Sequence, residues 1–233
     1  MGATLPDRGD LLITVRIMVP YVICPDVGLS DRSPADVAVV KTPDRVQQPQ
    51  NILLIVEVKM SIVWNWEYYP QNGEIVCIGD YTTHQGNPGF LRSDTMLKAI
   101  GKSINIRVSG PKSSKIPIVV VGNTPITKFY YNKVDLLKMS GIVQGFYSVN
   151  PKPLNAPGGD NIKSTPRGGF LRVDTPHELY ENLRRLIVED REFFSSMLPK
   201  RDLGKIIDMA SKERTYEAKA EKFLLLLRRL NYG

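Results

Sequence analysis

Apolar positions along this chain recur with two periods, and they divide it. Ile52 to Val56 are consecutive apolar residues, a run that suits a strand buried on both faces. "DVAVV", Asp36 to Val40, reads as a shorter strand, and Glu74 to Ile78, Ile116 to Val121 and Ile142 to Val149 as others. Leu11 to Val19 fits either period. Ile13, Val15, Ile17 and Val19 alternate like a strand, while Leu11, Leu12, Val15, Met18, Val19 and Val22 share a helical face; the β-branched residues favour the strand. Text after Trp66 reads as irregular until Glu74. "SDTMLKAIGKSI" predicts a helix capped by Ser93 or Asp94, and Lys128 to Lys138 a second helical piece.

Past Val149 the pattern changes. Asn150 to Gly169 is rich in Pro, Gly and Asn and reads as one long loop, of the kind that carries function or disorder. Thr175, Pro176 and Glu178 then supply a cap, a first-turn proline and a capping-box acid, with Leu179, Leu183, Leu186 and Ile187 as the apolar face of the helix they start. Further helices are predicted near Leu203 to Ala210 and from Tyr216 to Leu230. "GFLR" occurs at Gly89 and again at Gly169, a coincidence expected to mark two helix starts and not an internal repeat. The expected fold is α/β: a central mixed sheet flanked by helices, with a helical C-terminal part over 175–230. Residues 1–233 read as one domain whose core spans about 35–149.

Bulk properties narrow the function only a little. Hydrophobic residues make up 42% of the 233 and charged residues 24%, an ordinary globular balance. No apolar run approaches the ~18 residues of a membrane span, and "MGATLPDRGD" lacks the plan of a secretory signal. Two cysteines, Cys24 and Cys77, form no CxxC unit, so a reduced, cytoplasmic protein is expected. The net charge of +7 points toward a polyanionic partner without deciding it.

The chemistry sits where the longest strand loses its apolar character. Glu57 and Lys59 stand two residues apart, so both point to one face of the strand. If the strands Asp36–Lys41 and Ile52–Lys59 pair as an antiparallel hairpin with Lys41 opposite Ile52, Asp36 faces Glu57 at roughly 5 Å. Two carboxylates at that distance repel by ~3 kcal/mol at an effective dielectric of 20. A lysine offsets part of this repulsion and a divalent metal more, and carboxylate oxygens suit Mg²⁺.

Asp36, followed after a hairpin by Glu57-Val58-Lys59, resembles the active-site signature of the PD-(D/E)XK nuclease superfamily. The helix and strand that follow resemble the rest of that core. The resemblance implies that Asp36, Glu57 and the carbonyl of Val58 bind Mg²⁺ and that Asp36, Glu57 and Lys59 are catalytic. Chain length and the helical C-terminal part look most like a type II restriction endonuclease, which implies double-stranded DNA as substrate and a homodimer as the working form. Alternatives are a junction resolvase or repair nuclease, or a non-catalytic DNA-binding protein on the same fold. The motif departs from the pattern at its first half, where the text is "PAD". Literal Pro-Asp pairs stand at Asp26 and Asp44, but Asp44 falls in the turn, roughly 15–20 Å from Glu57 by strand rise.

Candidate DNA contacts are Asn65, Lys112 and Lys115, with Asn155, Asn161, Lys163 and Arg167 in the long loop, since amides and arginine read base edges. Trp64, Trp66, Tyr68 and Tyr69 are expected to pack more than to stack on bases. His84 and His177 stand apart and suggest no metal site. "GKS" at Gly101 to Ser103 mimics the end of a P-loop but lies inside the predicted helix and lacks the leading glycine, so it is set aside.

Overall fold

The computed structural model describes residues 16–60, 64–80, 89–149, 162–189 and 198–232. Its centre is a six-stranded mixed sheet built from β1 (Ile17–Val22), β2 (Ala35–Val40), β3 (Ile52–Lys59), β6 (Ile118–Gly122), β7 (Gly145–Ser148) and β8 (Phe170–Arg172), in the order β1-β2-β3-β6-β7-β8. β1, β2 and β3 form an antiparallel meander, while β6, β7 and β8 run parallel to β3. A separate ribbon of β4 (Trp64–Tyr69) and β5 (Glu74–Asp80) follows β3 in the chain. The helices are α1 (Ser93–Val108), α2 (Lys128–Met139), α3 (Pro176–Val188), α4 (Lys200–Ser211) and α5 (Tyr216–Tyr232).

Sheet parity sorts the core. Ile55 and Ile118 pack with Ile106 of α1, and Val120, Phe146 and Phe170 pack with Met96 and Ala99 of α1 and with Tyr130 and Val134 of α2. Leu54, Val56, Val119, Val121 and Tyr147 face the other way, against Leu186 and the half-buried Leu179, Leu183 and Ile187 of α3. Helices thus cover both faces of the sheet, and β6, inside it, is buried at every position. That is why "IVVVG" shows no alternation.

The structure corrects several expectations. Residues 67–69, expected to be irregular, belong to strand β4; the turn that joins it to β5 ends on Gly73, whose φ of 71° is the left-handed conformation glycine adopts freely. α1 is capped by Arg92 rather than Ser93 or Asp94, with no side-chain cap bond. The strand expected from Ile116 begins at Ile118, because Ile116 closes a 3-10 turn and Pro117 has no N–H to give the ladder. Ile142 and Val143, expected in β7, instead close the end of α2 through bonds to the Leu137 carbonyl, after Gly141 turns left-handed at φ 74°. The second "GFLR" is no helix start: Phe170–Arg172 is β8, and Gly169 and the residues back to Ile162 lead into it. The ambiguous N-terminal segment is a strand, beginning at Ile17, while its first residues, Leu11 to Val15, lie outside the described residues. At α3 the expected cap is present: Glu178 N–H donates to Thr175 Oγ1 at 3.1 Å, and the Glu178 carboxylate accepts from Asp174 N–H at 2.8 Å.

Candidate metal and catalytic site

The β2–β3 register brings the two acids together. Val37 pairs with Val56, Ala38 with Ile55 and Val39 with Leu54, so the next pair along the ladder is Asp36 and Glu57. The expected anchor of Lys41 opposite Ile52 is off by one. A bulge between Val39 and Val40 puts Val40 opposite Ile52 and leaves Leu53 as the extra residue. The bulge lies at the far end of the hairpin, so the register at the acids is the expected one. On β1 the ladder skips Tyr21, across from Asp36, which is held at φ 54°. That is a strained conformation for a tyrosine.

Asp36 does not complete the ladder. Its Oδ2 accepts the Val58 N–H at 2.7 Å and the Lys59 ammonium at 3.2 Å. Lys59 Nζ also donates to Glu57 Oε2 and to the Val58 carbonyl, both at 3.1 Å. One ammonium therefore touches both acids and the carbonyl between them. On β6, Lys59 pairs with Gly122, where any Cβ would meet the Phe90 ring.

A further residue completes the cluster. Lys102 of α1 lies 2.5 Å from Glu57 Oε1 and 3.7 Å from Asp36 Oδ1, and it donates to the Pro34 carbonyl at 2.5 Å. α1 is the crossover between the parallel strands β3 and β6, so it runs back across the sheet face on which Glu57 lies. Ala99, Ser103 and Ile106 are buried against that face and carry Lys102 down with them. The sequence signal for it is the "GKS" tripeptide that was set aside because it lies in a helix. The helix is what delivers the lysine.

Electrostatics follow from this geometry. Burial works against ionised Asp36, but the Val58 N–H and the two ammonium groups outweigh it and hold the carboxyl below its ordinary range. Glu57 is fully buried. Burial pushes its carboxyl up, with the Asp36 charge adding to the shift and the two lysines opposing it. Burial works against the Lys59 ammonium too, yet Glu57 and Asp36 raise it above the ordinary lysine value. Lys59 is therefore a fixed cation and a poor base.

The residues fit a hard cation in one telling respect. Glu57 Oε1 is buried without a hydrogen bond, the neighbouring Lys102 ammonium lying outside a bonding direction. The Lys102 ammonium, 2.5 Å away, matches its charge, and a metal ion that displaced this ammonium could bond the oxygen in its place. Asp36 and the Val58 carbonyl are its neighbours. Among the described residues no group of three or more His, Cys, Asp and Glu comes together, so the acid supply is this pair.

The literal Pro-Asp pairs lie elsewhere. Asp26 sits in a 3-10 turn and forms a 2.6 Å ion pair with Lys112. Asp44 lies in the turn between β2 and β3, at the far end of the hairpin, where its carbonyl accepts from Gln47 at 2.5 Å. The candidate DNA contacts are scattered. Lys112 and Lys115 occupy the turn after α1 that leads into β6, at the opposite end of the sheet from Lys59. Lys163 pairs with Asp174 and Glu178, both at 2.7 Å, and so anchors the start of α3. Arg167 lies in a turn organised by buried Asp135, which accepts the Arg167 N–H at 3.2 Å and the Gly169 N–H at 2.8 Å. Asn65 is in β4, opposite Gly79. Asn155 and Asn161 lie outside the described residues.

Comparison with protein-family models, with curated proteins and with solved structures finds no match for this chain.

Proposed function

We propose that the protein is a Mg²⁺-dependent endonuclease of the PD-(D/E)XK kind that hydrolyses phosphodiester bonds of double-stranded DNA at a specific short sequence, as a type II restriction endonuclease does. One observation carries the reading: Asp36, Glu57, the Val58 carbonyl and Lys59 converge at the end of β3. Asp36, Glu57 and the Val58 carbonyl would hold the Mg²⁺. When bound, the ion supplies a polarised phosphate and a water of lowered pKa.

The chain's own part is charge placement. Lys59, kept protonated by both acids, presents a fixed ammonium to the charge that develops on the phosphate. Its three bonds within the site hold that ammonium in one place before substrate arrives. The net charge of +7 supports a polyanionic substrate. A homodimer follows from the need to cut two strands of a symmetric site, each subunit supplying one centre. Exposed Ile207 of α4 and Leu224 and Leu225 of α5 offer apolar surface for such a contact. Among the described residues no helix is long and apolar enough to cross a membrane.

The test is a plasmid digest in Mg²⁺ beside one in excess chelator. Discrete fragments are expected with Mg²⁺ and none with chelator. Asp36→Ala and Lys59→Ala should each lower the rate by roughly a hundredfold or more while still binding DNA in Ca²⁺. Asp44→Ala, at the far end of the hairpin, should cut as wild type does. Cutting in chelator would sink the metal, an active Asp36→Ala beside a dead Asp44→Ala would sink the site, and uniform nicking would point to a structure-selective nuclease.

A further inference from the structure

The acid pair is matched by two lysines that divide its oxygens. Lys59 takes Asp36 Oδ2 and Glu57 Oε2, while Lys102 lies against Asp36 Oδ1 and Glu57 Oε1. The four charges cancel, so the site is neutral as it stands. A divalent cation that reaches both carboxylates must find oxygens already facing an ammonium.

The two lysines differ in how firmly they are held. Lys59 lies on β3 two residues from Glu57 and is tied to the Val58 carbonyl as well as to both acids. Lys102 stands on another element, and its ammonium hangs from a flexible stem with one hydrogen-bonded anchor outside the acid pair, the Pro34 carbonyl. Its contact with Asp36 is long, and the one with Glu57 is close but poorly directed. If one cation yields, it is Lys102.

We infer that Lys102 is an internal counter-ion that a divalent cation displaces: it holds Asp36 and Glu57 together while no metal is bound, and when one binds it gives up the acids and keeps its bond to the Pro34 carbonyl. Metal-free folding is thereby protected from the repulsion of two neighbouring carboxylates. The same device weakens metal affinity, because binding must break the Lys102 contacts. Lys102 is on this account a positioning residue, which sets the metal threshold of the site. The inference rests on the metal-dependent reading above.

The alternative role for Lys102, a strut that aims Glu57, makes the opposite forecast. Binding of Mn²⁺ to the full-length protein without DNA, read from the free-Mn²⁺ paramagnetic resonance signal, separates the two. Lys102→Met should bind Mn²⁺ roughly tenfold or more tighter than wild type, because one competing charge is gone. Its melting temperature should lie below wild type in chelator and rise further than wild type on adding Mn²⁺. Lys102→Gln, which keeps a polar group for Pro34, replaces it if Lys102→Met does not fold. Affinity equal to or weaker than wild type, with binding lost in Glu57→Gln, overturns the counter-ion and leaves the metal site standing. No Mn²⁺ bound by any folded form overturns both.

Discussion

Glu57 shows at the scale of one residue what the acid cluster costs the fold. Burial makes its ionised form costly, and Lys102 and Lys59 return only part of that cost, so its carboxyl lies above the ordinary value of 4.5. A group raised in this way stabilises the fold fully below its unfolded pKa, and that stabilisation is lost as pH rises through the folded value. At neutral pH the charge on Glu57 is thus a net burden. Glu57→Gln should melt higher than wild type in chelator at neutral pH, with the gap closing as pH falls toward about 4. Asp36 has the opposite sign. Its carboxyl lies below the ordinary 3.8, so its contribution is present above that value and lost as pH falls through the lower folded one. Asp36→Asn should therefore melt lower than wild type at neutral pH. Melts of both variants across pH check the pair, and a Glu57→Gln protein less stable than wild type at neutral pH would contradict the burden argument.

At the scale of elements, the site depends on how closely β6 and the turn before α1 approach each other. A Cβ on Gly122 would lie 2.6 Å from the Phe90 ring, and that ring is wedged edge-on against Phe146 at 5.8 Å and Phe170 at 6.5 Å between centroids. The ring has nowhere to go. Gly122→Ala should cost about 1–3 kcal/mol in a denaturant titration, the range for overpacking a filled core. Because Gly122 is the ladder partner of Lys59, cleavage should fall further than stability alone explains. A variant as stable as wild type would show that Phe90 can repack. A second element-level device is Arg107 at the end of α1. Its buried guanidinium donates to the carbonyls of Ser113, Ile116 and Ile142 and to Gln144 Oε1, joining the helix end to the starts of β6 and β7. Burial lowers it to about 10, and it stays charged at neutral pH.

Charge is unevenly spread over the whole molecule. No lysine or arginine occurs between Lys59 and Arg92, a stretch that holds Glu67, Glu74 and Asp80 and includes the β4–β5 ribbon. The ribbon leaves the sheet beside the acid pair but brings no cation to a phosphate. Its exposed Tyr68 and Ile75 are direct cross-strand partners, a contact surface of apolar character. On the nuclease reading proposed above, phosphate contacts come from the basic remainder of the chain. DNA affinity measured in Ca²⁺ should fall steeply with salt, the logarithm of affinity against that of salt having a slope of about −0.9 per phosphate contacted. Glu67→Gln and Glu74→Gln together should leave that slope unchanged. An affinity independent of salt would remove the polyanion from the account.

The sequence by itself determined most of the strands and helices and the near half of the site. β3 was legible to the residue because burial on both faces makes a strand apolar throughout, and two-residue spacing then places Glu57 and Lys59 on one face. Asp36 was legible through register, since a hairpin fixes which residue faces which, although the bulge at Leu53 displaced the assumed anchor. These are local relations, set within a few residues or by one turn. The β4 strand was missed because a ribbon outside the main sheet needs no buried face to pattern it. β8 was missed because its three residues form a strand only where β7 is there to pair with them. Lys102 was decided by tertiary structure alone. It stands 45 residues after Glu57 on a helix, and the GKS tripeptide around it does not point to the acids. Only the crossover of α1 between β3 and β6, pinned by Ala99, Ser103 and Ile106, sets that ammonium against the acids. Spacing along the chain reports what shares a face of one element, but which faces meet is settled by packing.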